Sequence, residues 1–542
     1  MDSIEVVLAM LLAVVASGFL GRMLPFGVPL PLIQIALGAV ISGVFKHGVA
    51  LDPEIFFLLF LPPLLFLDGW RIPKVGLFRD KGTIIELALG LVLFTVVGAG
   101  FLMHWLTPTM PLPVAFALAA IVAPTDPVAV SAITSRIPVP PRLMHIIEGE
   151  SLLNDASGLV CFRFAVAAAM TGSFSMAQAS LTFLWVALGG IAAGVAVTFV
   201  INRVHGILLR RFGEDEGVPI LINLLTPFGA YLAAEHMEAS GILAAVAAGI
   251  TMSYVELSGS ATPNTRIRRN VIWDTLQFAL NGVMFVLLGE QLPDIVHGAL
   301  HPPGGAEPFH PLWLAGHALA LSVGLLVLRF VWVWVSLRLT ILNQRRLGQQ
   351  VYKPRMRLIL ATSFAGVRGA LTMAGVMTLP LALPDGSPFP ARNLAIVLAS
   401  AVIVVSLVLA SVALPRLLRG LEVPHEGDAE HDEDRARHAA ITAAVEAVER
   451  QGRERSNGPD GDLHASTADR VAGLYRHRLR VGQDGDGGHD PQAAREAERD
   501  YRLTALRAER DTILRLGRRG EISDETARKL LREIDLVEAR YR

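Results

Sequence analysis

Long apolar runs alternate with short polar connections through most of the 542 residues, and then the alternation stops. The runs lie near 4–22, 27–45, 54–70, 83–105, 113–135, 143–170, 180–202, 218–235, 239–255, 271–292, 313–340, 356–380 and 392–418. A helix needs roughly 17–25 apolar residues to cross about 30 Å of hydrocarbon. The pattern therefore predicts an all-α polytopic membrane protein with thirteen transmembrane helices. The third run is short and holds Pro62-Pro63, and the eighth and ninth lie close together. After Pro424 the chain becomes polar. Glu426–Asp434 reads as an acidic linker, residues 435–450, 493–518 and 524–541 as charged helices, and Gln483–Pro491 as a flexible break. Ser523 is the expected N-cap of the last helix, with Asp524 and Glu525 in its first turn. The expected organisation is a transmembrane domain over 1–420 and a helical tail over 421–542.

Charge gives these spans a direction. Connections after odd-numbered runs carry twenty-one Lys and Arg, and those after even-numbered runs carry two, Lys46 and Arg392. Basic residues concentrate on the cytoplasmic side, so the N-terminus is expected outside and the C-terminus in the cytoplasm. One missed span would scramble this alternation downstream. The chain is 52% hydrophobic even with its polar tail, which excludes a soluble globular class. Its single cysteine, Cys161, excludes an intramolecular disulfide framework. The first run is long and lacks a basic leader, so no cleavable signal peptide is expected.

Polar chemistry inside the apolar part concentrates between Ile121 and Val160. A carboxylate at bilayer depth costs at least about 2.5–3.5 kcal/mol, so it normally faces protein or a water-filled cavity. In Pro124-Thr125-Asp126-Pro127 two prolines three apart interrupt the fifth span and free backbone carbonyls near Ala120 and Ala123. Irregular backbone at that depth has to line a cavity or be buried in protein, and broken helices of this kind build midplane sites in transporters. Thr125 and Asp126 would supply oxygens there; the alternative is a structural kink with Asp126 as a hydrogen-bond partner. In the sixth span Ser151 and Asp155 share one helix face, and Glu150 and Asn154 share the adjacent one. Ala156, Ser157 and Gly158 permit close approach by a neighbouring helix. A carboxylate with hydroxyl and carbonyl oxygens suits a weakly held monovalent cation such as Na⁺ or Li⁺. One Asp binds either a proton or a cation, and that competition alone gives exchange.

Arg368, in the twelfth span, needs a buried partner. Glu150 is the expected one, with Glu148 as the alternative. Asp68 follows Pro62-Pro63 and reads equally as a cavity-lining or an interfacial acid. Arg163 and Arg329 are set aside as residues that pair or snorkel. Asn281 and Glu290 read as helix-contact groups, with cavity lining as the alternative, and the histidines show no ligand spacing. The tail reads as solvated helices without chemistry or as a regulatory or dimer-supporting domain.

The motifs A-P-T-D-P at 123–127, E-G-E-S-L-L-N-D at 148–155 and G-V-R-G-A at 366–370, with L-P-P-L-L-F at 61–66 and F-A-L-N-G-V-M-F-V-L-L-G at 278–289, give the chain a family likeness. It resembles the bacterial sodium/proton antiporters of cation–proton antiporter family 1, the NhaP/NHE-like exchangers, over roughly residues 5–420. The resemblance implies a homodimer in the bacterial inner membrane, with a dimerisation domain and a core of inverted repeats whose fifth and twelfth helices are interrupted and cross. It implies that Asp155 binds the ion and the proton, with Na⁺ at Asp155, Thr125 and Ser151. Asn154 and Asp126 would shape the site, and Glu150–Arg368 would be a stabilising pair. Asn, not Asp, before Asp155 is similar to members that exchange one cation for one proton. Relatives place an acid near the end of the third span one position earlier than Asp68, a turn of about 100°, so Asp68 stands outside the expected site. The tail is similar to the cytoplasmic extension of some members.

The expected function is electroneutral Na⁺(Li⁺)/H⁺ antiport by alternating access, with no cofactor and no nucleic-acid partner. K⁺/H⁺ antiport is the alternative within the class. An intramembrane aspartyl protease using Asp126 and Asp155 as a dyad, and a channel or sensor that signals through its tail, are the alternatives outside it.

Overall fold

The computed structural model describes residues 2–24, 28–45, 53–72, 81–134, 139, 141–172, 176–212, 217–257, 263–300, 310–346, 355–419, 427–455, 461–483, 491–518 and 524–538. The chain divides into two compact units, Met1–Val423 and Pro424–Arg542.

In the first unit every apolar run is helical. The elements are α1 (Asp2–Met23), α2 (Leu30–Phe45), α3 (Pro53–Arg71), α4 (Lys81–Ile85), a π-helical turn (Glu86–Leu91), α5 (Val92–Leu106), α6 (Leu112–Val122), α7 (Pro127–Thr134), α8 (Pro141–Thr171) and α9 (Met176–Phe212). They continue with α10 (Val218–His236), α11 (Gly241–Leu257), α12 (Pro263–Leu300), α13 (Pro311–Arg346), α14 (Met356–Phe364), α15 (Ala370–Met377) and α16 (Arg392–Leu418). Among the described residues eight helices are individually long and apolar enough to cross a membrane, and α6 with α7 makes a ninth candidate bent by 42°. Helix α3 runs through Pro62-Pro63 without ending. The wide π turn has no signal in composition; Ser157 of α8 donates to its Ala88 carbonyl at 2.6 Å.

Two helix crossings have the same reciprocal geometry. A Cβ on Gly38 of α2 would lie 1.9 Å from the Val286 carbonyl oxygen, and one on Gly289 of α12 would lie 1.9 Å from that of Ile35. Likewise a Cβ on Gly249 of α11 would meet the Phe66 oxygen at 2.1 Å, and one on Gly69 of α3 would meet that of Val246 at 2.5 Å. Each glycine faces the carbonyl three residues before its partner glycine. The crossing of the second and tenth runs is thus repeated by the ninth and third, the arrangement an inverted repeat produces. Such backbone contact needs residues without a side chain.

Helix α6 is almost wholly buried from Val114 to Val122. Helices α3, α7, α8, α12 and α15 contribute to one polar cavity near its C-terminal end.

The second unit contains α17 (Gly427–Arg455), α18 (Gly461–Gln483), α19 (Pro491–Arg518) and α20 (Asp524–Glu538). Arg476 of α18 bonds Glu449 of α17. Arg510 of α19 reaches Asp535 of α20 at 2.5 Å and also bonds Glu538. Helix α18 goes beyond the sequence expectation, because Gly461 and Gly473 disguise an amphipathic segment that buries Ala472. Ser523 and most of the expected Gln483–Pro491 break lie outside the described residues.

Candidate functional site

Two interrupted spans cross, and each supplies what the other's break lacks. Pro124 and Pro127 lack an N–H, so α6 stops at Val122 and α7 starts at Pro127. The second break, between α14 and α15, has no proline and is built on Gly366 and Gly369. The Asp126 N–H donates to the Val367 carbonyl at 2.7 Å. In return Arg368 Nε donates to the Val122 carbonyl at 2.8 Å, and its Nη1 bonds the Gly366 carbonyl. The Arg368 N–H donates to Ser406 Oγ at 3.1 Å. Carbonyls orphaned at buried helix ends are expensive, and Arg368 takes up one on each side of the crossing. A Cβ on Gly369 would lie 1.8 Å from Asp126 Oδ2. The backbone can approach that carboxylate only where no side chain projects. Asp126 Oδ1 in turn accepts from the Val128 N–H at 2.8 Å, capping α7.

Helix α8 lies against the first break through Gly158, where a Cβ would meet Pro124 Cγ at 2.4 Å. Its two polar faces do different things. On one face Glu150 accepts a bidentate pair from Arg329 of α13, Nη1 at 2.5 Å and Nη2 at 2.8 Å. The two side chains are 1% and 3% exposed, so this is a desolvated ion pair. Thr125 Oγ1 donates to Glu150 Oε1 at 3.2 Å, and Asn154 Nδ2 donates to Thr125 Oγ1 at 3.1 Å. The network Arg329–Glu150–Thr125–Asn154 therefore fixes the broken segment to α8.

This corrects the expected Glu150–Arg368 pair. Glu150 is held by Arg329, and Arg368 spends its guanidinium on backbone carbonyls. The reason is geometric: the breaks leave carbonyls within reach of Arg368, while α13 presents Arg329 straight at Glu150. Arg163, also set aside in the sequence, reaches Glu235 at 3.6 Å on an exposed surface.

On the other face of α8, Ser151 and Asp155 line a cavity of about 70 Å³ together with Thr125 and Asp126. Asp68 of α3 lines the same cavity, so three carboxylates surround it. The one-residue offset that set Asp68 apart in the sequence does not turn it away. Gln277 and Asn281 of α12 and Thr372 of α15 complete the polar lining. Asn154 does not reach this space and acts through Thr125. Glu290 is buried where α12 crosses α2, away from the cavity.

A vestibule of about 680 Å³ adjoins it, lined by Asp68, Arg71, His145, Glu148, Asp274 and Gln277 among others. Asp68 and Gln277 belong to both spaces. Arg329, Gln277 and Thr372 were missed as site residues in the sequence. The first two carried a signal: an arginine inside a span needs a counter-charge, and Gln277 lies four residues before Asn281 on one face of an otherwise apolar segment. Thr372 carried none. Chemically the arrangement is a small oxygen-rich chamber lined by three carboxyl groups and bordered by a larger vestibule, suited to a proton or a small cation.

Residues 7–420 match the family described as sodium/hydrogen exchanger, transmembrane. An uncharacterized Na(+)/H(+) exchanger of Escherichia coli (strain K12) is 41% identical over 99% of this chain and 99% of its own length. A sodium, potassium, lithium and rubidium/H(+) antiporter of Bacillus pumilus (strain SAFR-032) is 38% identical over 100% of this chain and 78% of its own. Among solved structures, the sodium proton antiporter MjNhaP1 from Methanocaldococcus jannaschii superposes with a TM-score of 0.56 at 18% identity, covering 78% of this chain and 99% of that one. At that identity the likeness concerns the fold.

Proposed function

Because this chain belongs to the family of transmembrane sodium/hydrogen exchangers, we propose that it exchanges Na⁺ or Li⁺ for H⁺, one for one, by alternating access. Cation and proton compete for Asp155. The observation that carries this reading is the chamber at the helix crossing, where Asp155 and Ser151 meet Thr125, Asp126 and Asp68 beside a vestibule. Asp155 takes the proton or the ion. Ser151 and Thr125 supply neutral oxygens to Na⁺, which here is cargo. Thr125 keeps a lone pair free for this while bonded to Glu150 and Asn154. Asp126 caps α7 and sets the local field.

The charge bias of the connections supports an N-terminus outside, a C-terminus in the cytoplasm and the Arg71 end of α3 at the cytoplasmic face. On that reading the vestibule opens inward, the protein resides in a bacterial inner membrane with thirteen spans, and two copies form a homodimer. The segment 1–420 transports, and 421–542 is a cytoplasmic helical tail. A second reading, broader exchange that includes K⁺, is supported by the name of the Bacillus pumilus relative, and oxygen ligands alone do not fix ion size.

Reconstituted full-length protein tests the stoichiometry. A Na⁺ pulse should move protons at the same rate with the membrane potential clamped at zero or left free. A rate that follows the clamp would mean net charge moves and would overturn one-for-one exchange. Equal half-saturation by Na⁺ and K⁺ would replace the sodium reading with the broader one.

A further inference from the structure

A neck joins the vestibule to the Asp155 chamber. Asp68, Pro127, Val128, Gln277 and Asn281 line both spaces. Gln277 and Asn281 stand one turn apart on α12, and Asp274, three residues before Gln277, lies on the same side at the vestibule. Across from them on α3, Arg71 follows Asp68 by three residues. Arg71 Nη1 donates to Gln277 Oε1 at 2.9 Å, and Nη2 donates to Asp274 Oδ1 at 2.5 Å. Arginine has donors and no acceptor, so the Gln277 atom it meets is the amide oxygen. Two of the oxygens beside the path are thus occupied by a fixed positive charge.

The neck asks something of an ion that the chamber does not. Pro127 and Val128 offer no side-chain oxygen, so the replacements for lost water must come from Asp68 and the two amides. A carboxylate alone attracts every monovalent cation. Neutral amide oxygens add a contribution that depends on ion size and hold weakly enough to let the ion leave, which conduction through any narrow filter requires. We infer that Gln277 and Asn281 are specificity-determining residues of the pathway, lending amide oxygens to the cation between vestibule and chamber, and that Arg71 is a positioning residue which keeps the Gln277 oxygen and the Asp274 carboxylate from binding it too tightly. The inference rests on Asp155 being the exchanged carboxylate.

The test uses the full chain in proteoliposomes and reads apparent KM and Vmax for Na⁺, Li⁺ and K⁺. Gln277→Met should raise KM about tenfold, the value of one lost polar contact, and by different factors for the three ions. Gln277→Glu, which keeps the size and adds a charge, should lower KM and flatten the differences between ions. It decides the matter if Gln277→Met does not reconstitute. Arg71→Met should lower KM about threefold, a direction that loss of a merely structural bridge would not give. That gain should shrink to the share owed to the freed Asp274 carboxylate in Arg71→Met/Gln277→Met, because the Arg71–Gln277 part of it needs both residues. Unchanged KM values and ion ratios in Gln277→Glu and Asn281→Leu, with Asp155→Asn inactive, would overturn the inference. Exchange persisting in Asp155→Asn would instead overturn the Asp155 reading beneath it.

Discussion

Asp155→Asn is expected to reduce exchange of Na⁺, Li⁺ and K⁺ to the leak of protein-free liposomes while leaving the protein folded. The asparagine has the same shape, and its neighbours lose no named hydrogen bond, since the contacts that fix α8 here run through Glu150, Asn154 and Ser157. What is lost is the carboxylate proposed to carry either a proton or a cation. Asp126→Asn should be milder, because an amide oxygen can still accept from Val128 and cap α7. Asp68→Asn should be milder again and act chiefly on KM, since Asp68 lines the vestibule as well as the chamber and so stands on the approach to Asp155. Transport by each variant, checked against its gel-filtration profile, orders the three carboxylates. Full activity in Asp155→Asn would assign the exchange to another of them.

The largest loss of stability is expected at Arg329, not at Arg368. Arg329→Met leaves the Glu150 carboxylate buried without its bidentate partner. Removing one member of a buried ion pair costs about 3–5 kcal/mol. The variant should unfold at a clearly lower temperature in detergent, and the Thr125–Asn154 network should loosen with it. Arg329→Met/Glu150→Gln should recover much of the loss by removing the stranded charge. Arg368→Met should cost less in global stability, because its guanidinium serves two carbonyls and no carboxylate, yet it should impair exchange by disturbing the helix crossing. A thermal unfolding series on the three variants checks this; a larger drop in Arg368→Met than in Arg329→Met would return Glu150 to the partner first expected.

Legibility from sequence followed the physics of each signal. Helix positions were readable because long apolar runs bounded by polar connections fold as helices, and the first break was readable because proline removes an N–H. The second break was only half visible, since Gly366 and Gly369 permit a break without requiring one. The face of α8 carrying Ser151 and Asp155 followed from helical period, and the structure places both on the cavity. The partner of Glu150 did not follow, because two intramembrane arginines in different spans competed and sequence gives no distance between spans. Asp68 shows the same limit: a rotation counted along one helix omits where that helix sits, and α3 brings it to the chamber wall. The glycine pairs at positions 38 and 289 and at 69 and 249 disclose the repeat only once their reciprocal carbonyl contacts are seen.

The central claim, competition of cation and proton for one carboxylate, is tested most directly by the apparent KM for Na⁺ in wild-type proteoliposomes across roughly pH 6–9, the span in which such exchange is readily followed. A single shared site predicts that KM rises as pH falls, approaching tenfold per pH unit at the acid end, while Vmax at saturating Na⁺ stays level. A KM that stays constant over this range while Vmax carries the whole pH dependence would mean that the proton and the cation bind at separate places, and the account built on Asp155 would be wrong.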